Sequence, residues 1–181
     1  MPSLVGSEMC IRDSLKAVAA AADLEQSTGS IEAVFKGAAD QMKKFASQAA
    51  DTVGLTKNEY QELGTLIGAQ LKNAGTPMDQ LAGKTNDLIG LGADMAAMFG
   101  GTTADAVGAL SSALKGERDP IERYGVSLKQ ASIDAKAAEM GFTKVGGSFD
   151  QEAQAAATLA LIMEQTSDCL LYTSDAADDK A

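Results

Sequence analysis

Leu55-Thr56-Lys57-Asn58-Glu59-Tyr60, followed by Leu63, Ile67, Leu71, Ala74, Gly75, Thr76, Pro77, Met78 and Asp79, decides the fold class. Thr56 and Glu59 have the spacing of a capping box. A hydroxyl before the first turn and a carboxylate three residues on satisfy each other's free backbone N–H groups. Tyr60, Leu63, Ile67, Leu71 and Ala74 then recur at intervals of three and four, which is one face of a helix. Gly75 stops it. Thr76 is expected to cap the next helix, with Pro77 in the first turn, where its missing N–H is harmless. Asp79 suits the positive end of the helix dipole.

The same grammar extends in both directions. Downstream, Leu81, Thr85, Leu88, Gly92, Met95 and Phe99 form a stripe up to Gly100-Gly101. Gly90 and Gly92 inside it are unfavourable for a helix, and close approach of a neighbouring helix is the expected compensation. Thr102-Thr103-Ala104-Asp105 opens a short helix with Val107, Leu110 and Leu114 inward, and Lys115-Gly116 closes it. Asp119-Pro120-Ile121-Glu122 reads as a single turn ending near Tyr124-Gly125. Ser127-Leu128-Lys129-Gln130 is read as another capping box, ahead of a helix carrying Ala131, Ile133, Ala137 and Met140 and ending at Gly141. Phe142–Gly147 is a loop or short extended arm, and Ser148–Gln151 caps a last helix running to about Gln165.

Upstream, Leu15–Glu25 is an alanine-rich helix expected to end at Ser27-Thr28-Gly29. Ser30 is expected to cap the next one. That helix spaces Ile31, Phe35, Ala38, Met42, Phe45 and Ala49 alternately by four and three, a heptad seam suggestive of a coiled coil. An amphipathic helix in a bundle has the same pattern. Gly54 breaks it. The expected architecture is all-α: an array or bundle of short amphipathic helices with Gly, Pro and Thr at the joints.

Composition fits that class. The chain is 45% hydrophobic but 4% aromatic, with no Trp. Alanine supplies much of the apolar fraction, so the core is expected to be thin. The net charge of −10 argues against a dedicated phosphate-backbone binder. The absence of His removes the commonest general base and metal ligand. No apolar run approaches the roughly 18 residues of a membrane span, the longest being Ala155–Met163.

The ends read differently from the interior. Residues 169–178, Cys-Leu-Leu-Tyr-Thr-Ser-Asp-Ala-Ala-Asp, begin as a translation of CTGTCTCTTATACACATCT from its second base. Met9-Cys-Ile-Arg-Asp13 translates the reverse complement from its third base. Both resemble adapter from transposase-built sequencing libraries. The chain is therefore divided into residues 1–14 and 169–181 of adapter origin and a helical region, 15–168. Cys10 and Cys169 fall in the two tails, so no disulfide or redox role is read from them. The interior remains acidic without the tails.

Several interior stretches resemble the N-terminal region of tail tape measure proteins of long-tailed phages and prophages. They are Leu55–Leu63, Leu88–Met95, Phe99–Val107, Ala109–Gly125 and Gln154–Gln165, with Leu110–Gly125 the most specific. The resemblance covers most of 15–167. It implies a structural virion-assembly protein: a long helical chain filling the growing tail, with tail-tube subunits polymerising around it and its length limiting the tube. At 1.5 Å per residue of helix, residue count can encode a distance. Implied partners are tail-tube subunits, tail assembly chaperones and other copies of the tape measure protein, the last as a homo-oligomer. The implied location is the virion tail, with the host cytoplasm during assembly. The long repetitive ruler region, hydrophobic spans and wall-cleaving domains of such proteins are not in this sequence, so length measurement and membrane passage are not assigned to these residues.

No catalytic, cofactor or metal site is expected. Gly100-Gly101-Thr102-Thr103 at a helix start could cradle a phosphate, but it lacks the Lys and spacing of a P-loop, and a stop followed by a cap is the plainer reading. Asp94, Asp105 and Asp134 are too scattered for a Ca²⁺ loop. Met78, Met95, Met98, Met140 and Met163 fit core filling better than an adaptable binding face. Lys115–Arg123 is the densest mixed-charge stretch. Arg118, Asp119, Glu122 and Arg123 are its candidate contact residues, against the plainer reading of a capped turn with local salt bridges. Two other functions fit in outline: a secreted or surface helical-bundle adaptor, and a fragment of a wall hydrolase fused to a tail protein. The second would need a cleft with paired carboxylates or metal ligands.

Overall fold

A computed structural model describes residues 22–167. The two adapter-like tails and the expected helical residues 15–21 lie outside the described residues. Within them the protein is all-α. The helices are α1 (residues 22–35), α2 (Ala39–Thr52), α3 (Lys57–Asn73), α4 (Met78–Phe99), α5 (Thr103–Lys115), α6 (Asp119–Glu122), α7 (Gln130–Glu139) and α8 (Gln151–Gln165). The only extended pairing among them is an isolated bridge between Val145 and Ser148.

The joints explain the element order. Thr56 and Glu59 form the capping box in full: Glu59 N–H donates to Thr56 Oγ1 at 3.3 Å, and Thr56 N–H donates to Glu59 Oε2 at 2.9 Å. Thr102 and Asp105 repeat it at the start of α5. Helices α3, α5 and α7 end in Schellman turns. After α3, Thr76 N–H reaches Leu71 O and Gly75 N–H reaches Lys72 O, with Gly75 at φ 74°. Gly116 and Gly141 take the same left-handed role.

Three expected joints differ. Helix α1 runs through Ser27-Thr28-Gly29 without a break. The hydroxyls of Ser27 and Thr28 donate back to Leu24 O, and that of Ser30 donates to Gln26 O, so Ser30 caps nothing. Hydroxyls satisfied within their own helix stop acting as boundary signals. Pro77, not Thr76, occupies the cap position of α4. Lys129, not Ser127, precedes α7, and no side chain caps it. The cap expected within Ser148–Gln151 is there: Asp150 caps α8, receiving Ala153 N–H at 2.8 Å.

The expected seam helix is also cut. After Phe35 the chain makes a 3-10 turn, Lys36–Ala38, in which Lys36 has φ 47°. A Cβ built on Gly64 of α3 would meet Met42 Cε at 2.9 Å and Ile31 Cδ1 at 3.6 Å. In a straight helix Ile31 and Met42 would sit about 16 Å apart, so α1 and α2 meet at a sharp corner astride α3. Glu32 and Lys43 pair across its inner side.

Small residues let the helices close up. Phe35 lies where a side chain at Gly68 would be, 2.3 Å from its ideal Cβ. Val107 Cγ2 lies 2.5 Å from that of Gly92, which is the close approach expected there. A Cβ built on Gly90 would meet no neighbouring helix within 4 Å, so close approach does not account for it. The core runs continuously from Ile31, Phe35 and Met42 through Ile67, Leu81, Ile89, Met95 and Leu110 to Ile121, Ile133 and Ile162. Each such side chain contributes about 1.5–3 kcal/mol when fully buried. Helix α5 sits at the centre, packed on α3, α4, α6 and α8, whereas α7 packs on α8.

Candidate functional site

The charged turn after α5 is built by two glycines and two anchors. Gly116 at φ 102° turns the chain out of α5, and Gly125 at φ 75° releases it after α6. Between them Pro120 sits in the first turn of α6, and Ile121 and Tyr124 are buried. The anchors hold Asp119, Glu122 and Arg123 at the surface.

The four candidate residues share this turn, but the two arginines reach different neighbours. Arg118 is half-buried. Its Nη2 donates to Gln130 Oε1 at 2.6 Å, while its buried Nε finds no acceptor among the described residues. Gln130 in turn donates to Asp134, and Lys144 donates to the other oxygen of Asp134 at 2.9 Å. These bonds, led by the one from Gln130, hold the Asp134 carboxyl below the usual aspartate range. Lys144 also lies 5.1 Å from the centre of the Phe149 ring. Arg123 stacks over Tyr124 at 5.1 Å, and Phe99 meets the same ring edge-on at 6.3 Å. The salt bridges expected within Lys115–Arg123 are not among the ion pairs of the described residues, which join Glu32 to Lys43, Lys136 to Glu139 and Glu164, and Asp134 to Lys144.

No protein-family model matches this chain, and no curated protein or solved structure matches it.

Gly100-Gly101-Thr102-Thr103 is a stop and a cap. Gly100 and Gly101 have φ 82° and 105°, and Asp105 already places a carboxylate at the start of α5, taking Thr102 N–H at 3.4 Å. An incoming phosphate would meet that charge. Among the described residues no group of three or more His, Cys, Asp or Glu is arranged to hold a metal ion. None of the described helices is long and apolar enough to cross a membrane. Met95 is fully buried, as core filling requires, but Met98, Met140 and Met163 are exposed on α4, after α7 and on α8.

Three polar clusters were not foreseen. Ser27 Oγ lies between Asn58 Oδ1 at 2.7 Å and Gln61 Oε1 at 3.0 Å, joining α1 to α3. Tyr60 donates to Asn86 Oδ1 at 2.8 Å; burial pushes its phenol far above the usual tyrosine range, and Asp87 adds to the shift. Gln165 clasps Ser127, accepting its N–H at 2.9 Å and donating to its carbonyl at 3.2 Å. Each joins residues far apart in sequence, and the types involved are ordinary surface residues, so spacing carries no sign of them.

Proposed function

We propose that residues 15–168 are a structural module of a phage tail tape measure protein, placed before the ruler region and contributing to tail-tube assembly. The observation that carries the reading is the stretch Ala109–Gly125, whose resemblance to that family is the most specific in the chain. Its architecture is consistent with a holding role: a buried helix end, a glycine turn and a short proline-started helix present Asp119, Glu122 and Arg123 outward. In this reading the turn contacts tail-tube subunits, assembly chaperones or other copies, and the working location is the virion tail. The module is structural, not catalytic.

Recovery of the uninterrupted reading frame with its flanking genes tests the proposal. The frame is expected to continue well past Gln165 and to lie among tail-morphogenesis genes. A frame that stops soon after Gln165, far from any such cluster, overturns it. Release of peptidoglycan fragments by the purified chain would overturn the non-catalytic part.

A further inference from the structure

We propose that the cavity between the end of α5 and the first turns of α8 binds a small oxyanion of the inorganic phosphate class, held by Lys115 and Arg118. Such a site would operate whether or not the chain belongs to a tail.

The chain turns out of α5 at Gly116, opposite the start of α8. Between them lies a cavity of about 220 Å³, with Lys115, Gly116 and Arg118 on one side and Gln151, Gln154 and Thr158 on the other. Its described lining residues include both of these cations and no carboxylate. On a chain of net charge −10, that is a local reversal of sign.

Neither cation has an ion-pair partner. The ion pairs of the described residues occupy Lys43, Lys136 and Lys144. Arg118 is linked to Asp134 through the Gln130 amide, and Lys144 already holds that carboxylate.

The geometry also selects the ligand. The volume is below the roughly 300 Å³ at which pockets for drug-sized molecules begin, so it suits an ion and not a nucleotide. A planar carboxylate is recognised best by two parallel N–H groups of an arginine. In Arg118, Nη2 already donates to Gln130 and Nε is buried, so that fork is not presented. What remains is charge: an ammonium and a guanidinium, which match a doubly charged phosphate. An ion held from both sides ties α8 to α5, so occupancy should slow amide exchange in α8.

Titration of the isotope-labelled full chain with inorganic phosphate, followed by NMR at constant ionic strength and mildly alkaline pH, tests the site. Expected are saturating shifts of the backbone amides of Lys115, Gly116 and Gln151 and of the Arg118 Nε–H, with the Arg123 Nε–H unmoved. Lys115 is exposed, so Lys115→Gln keeps the fold. It should weaken binding about tenfold, through loss of one bond to a charged group. Acetate over the same range should not saturate. Shifts that grow without saturating, or an affinity unchanged in Lys115→Gln, overturn the site. Saturation by acetate as tight as by phosphate overturns the choice of ligand. No outcome of this titration touches the reading frame or its neighbouring genes, so the oxyanion site and the tail reading fail separately.

Discussion

Glu59 receives two hydrogen bonds at one helix start, from the Thr56 hydroxyl at 2.7 Å and the Thr56 backbone N–H at 2.9 Å. Both favour the ionised form, the hydroxyl more, and they hold its carboxyl below the usual glutamate range. Since the folded value is depressed, the linked stability is present above the usual glutamate pKa and is lost as pH falls through the folded value. Thr56→Ala should cost about 1 kcal/mol, read as a lower urea midpoint, and should return the Glu59 carboxyl titration, followed by NMR, toward the ordinary value. An unmoved titration would mean that the cap does not hold the carboxylate. The glycines of α4 divide just as sharply. A methyl at Gly92 would strike Val107, whose backbone N also lies 3.3 Å away, so Gly92→Ala is expected to destabilise by about 1–3 kcal/mol. Gly90 has open space, and Gly90→Ala should stabilise by up to about 1 kcal/mol through helix propensity alone. Thermal melts of the two variants should move in opposite directions.

At the scale of the element, a joint was legible where one residue type had one physical outcome. Gly75, Gly116 and Gly141 mark ends because each adopts the left-handed turn the reversal needs, and Thr56-Glu59 and Thr102-Asp105 mark starts because each pair closes a box. Reading failed where a hydroxyl had two uses. Ser27, Thr28 and Ser30 look like a boundary but bond within α1, and the real boundary at Lys36–Ala38 has a lysine where glycine would be expected. Ser127 looked like a cap because Gln130 follows at box spacing; its backbone is instead held by Gln165, a residue thirty-eight positions away. The candidate turn divides the same way. Its glycines and Pro120 are local and readable, whereas the packing of Tyr124 against Phe99 and Arg123 depends on the fold. The clasp itself is testable. Gln165→Ala should cost about 0.5–1.5 kcal/mol and speed amide exchange at Ser127, with α3 unaffected; unchanged exchange there would show that the clasp does not protect the loop.

For the whole molecule, the arrangement of contacts decides how it comes apart. Helix α5 touches α3, α4, α6 and α8, so it links the α1–α4 group to the α7–α8 pair. Helix α7 is peripheral: it packs on α8 and is tied to it by Lys136, whose ammonium meets Glu164 at 3.1 Å. Leu110 and Ile133 are both fully buried, one on each helix, and truncating either removes a comparable apolar volume. Leu110→Ala and Ile133→Ala should therefore cost similar amounts, about 2–5 kcal/mol, but distribute the loss differently. With α5 weakened, both groups lose their common support, and amide exchange should accelerate across α3, α4 and α8 together. With α7 weakened, exchange should accelerate in α7 and the face of α8 beneath it, while α3 and α4 keep their protection because none of their packing passes through α7. Hydrogen–deuterium exchange resolved by helix distinguishes the two patterns. If Ile133→Ala loosened α3 and α4 as much as Leu110→Ala does, the molecule would unfold as one unit and α5 would have no special place in it.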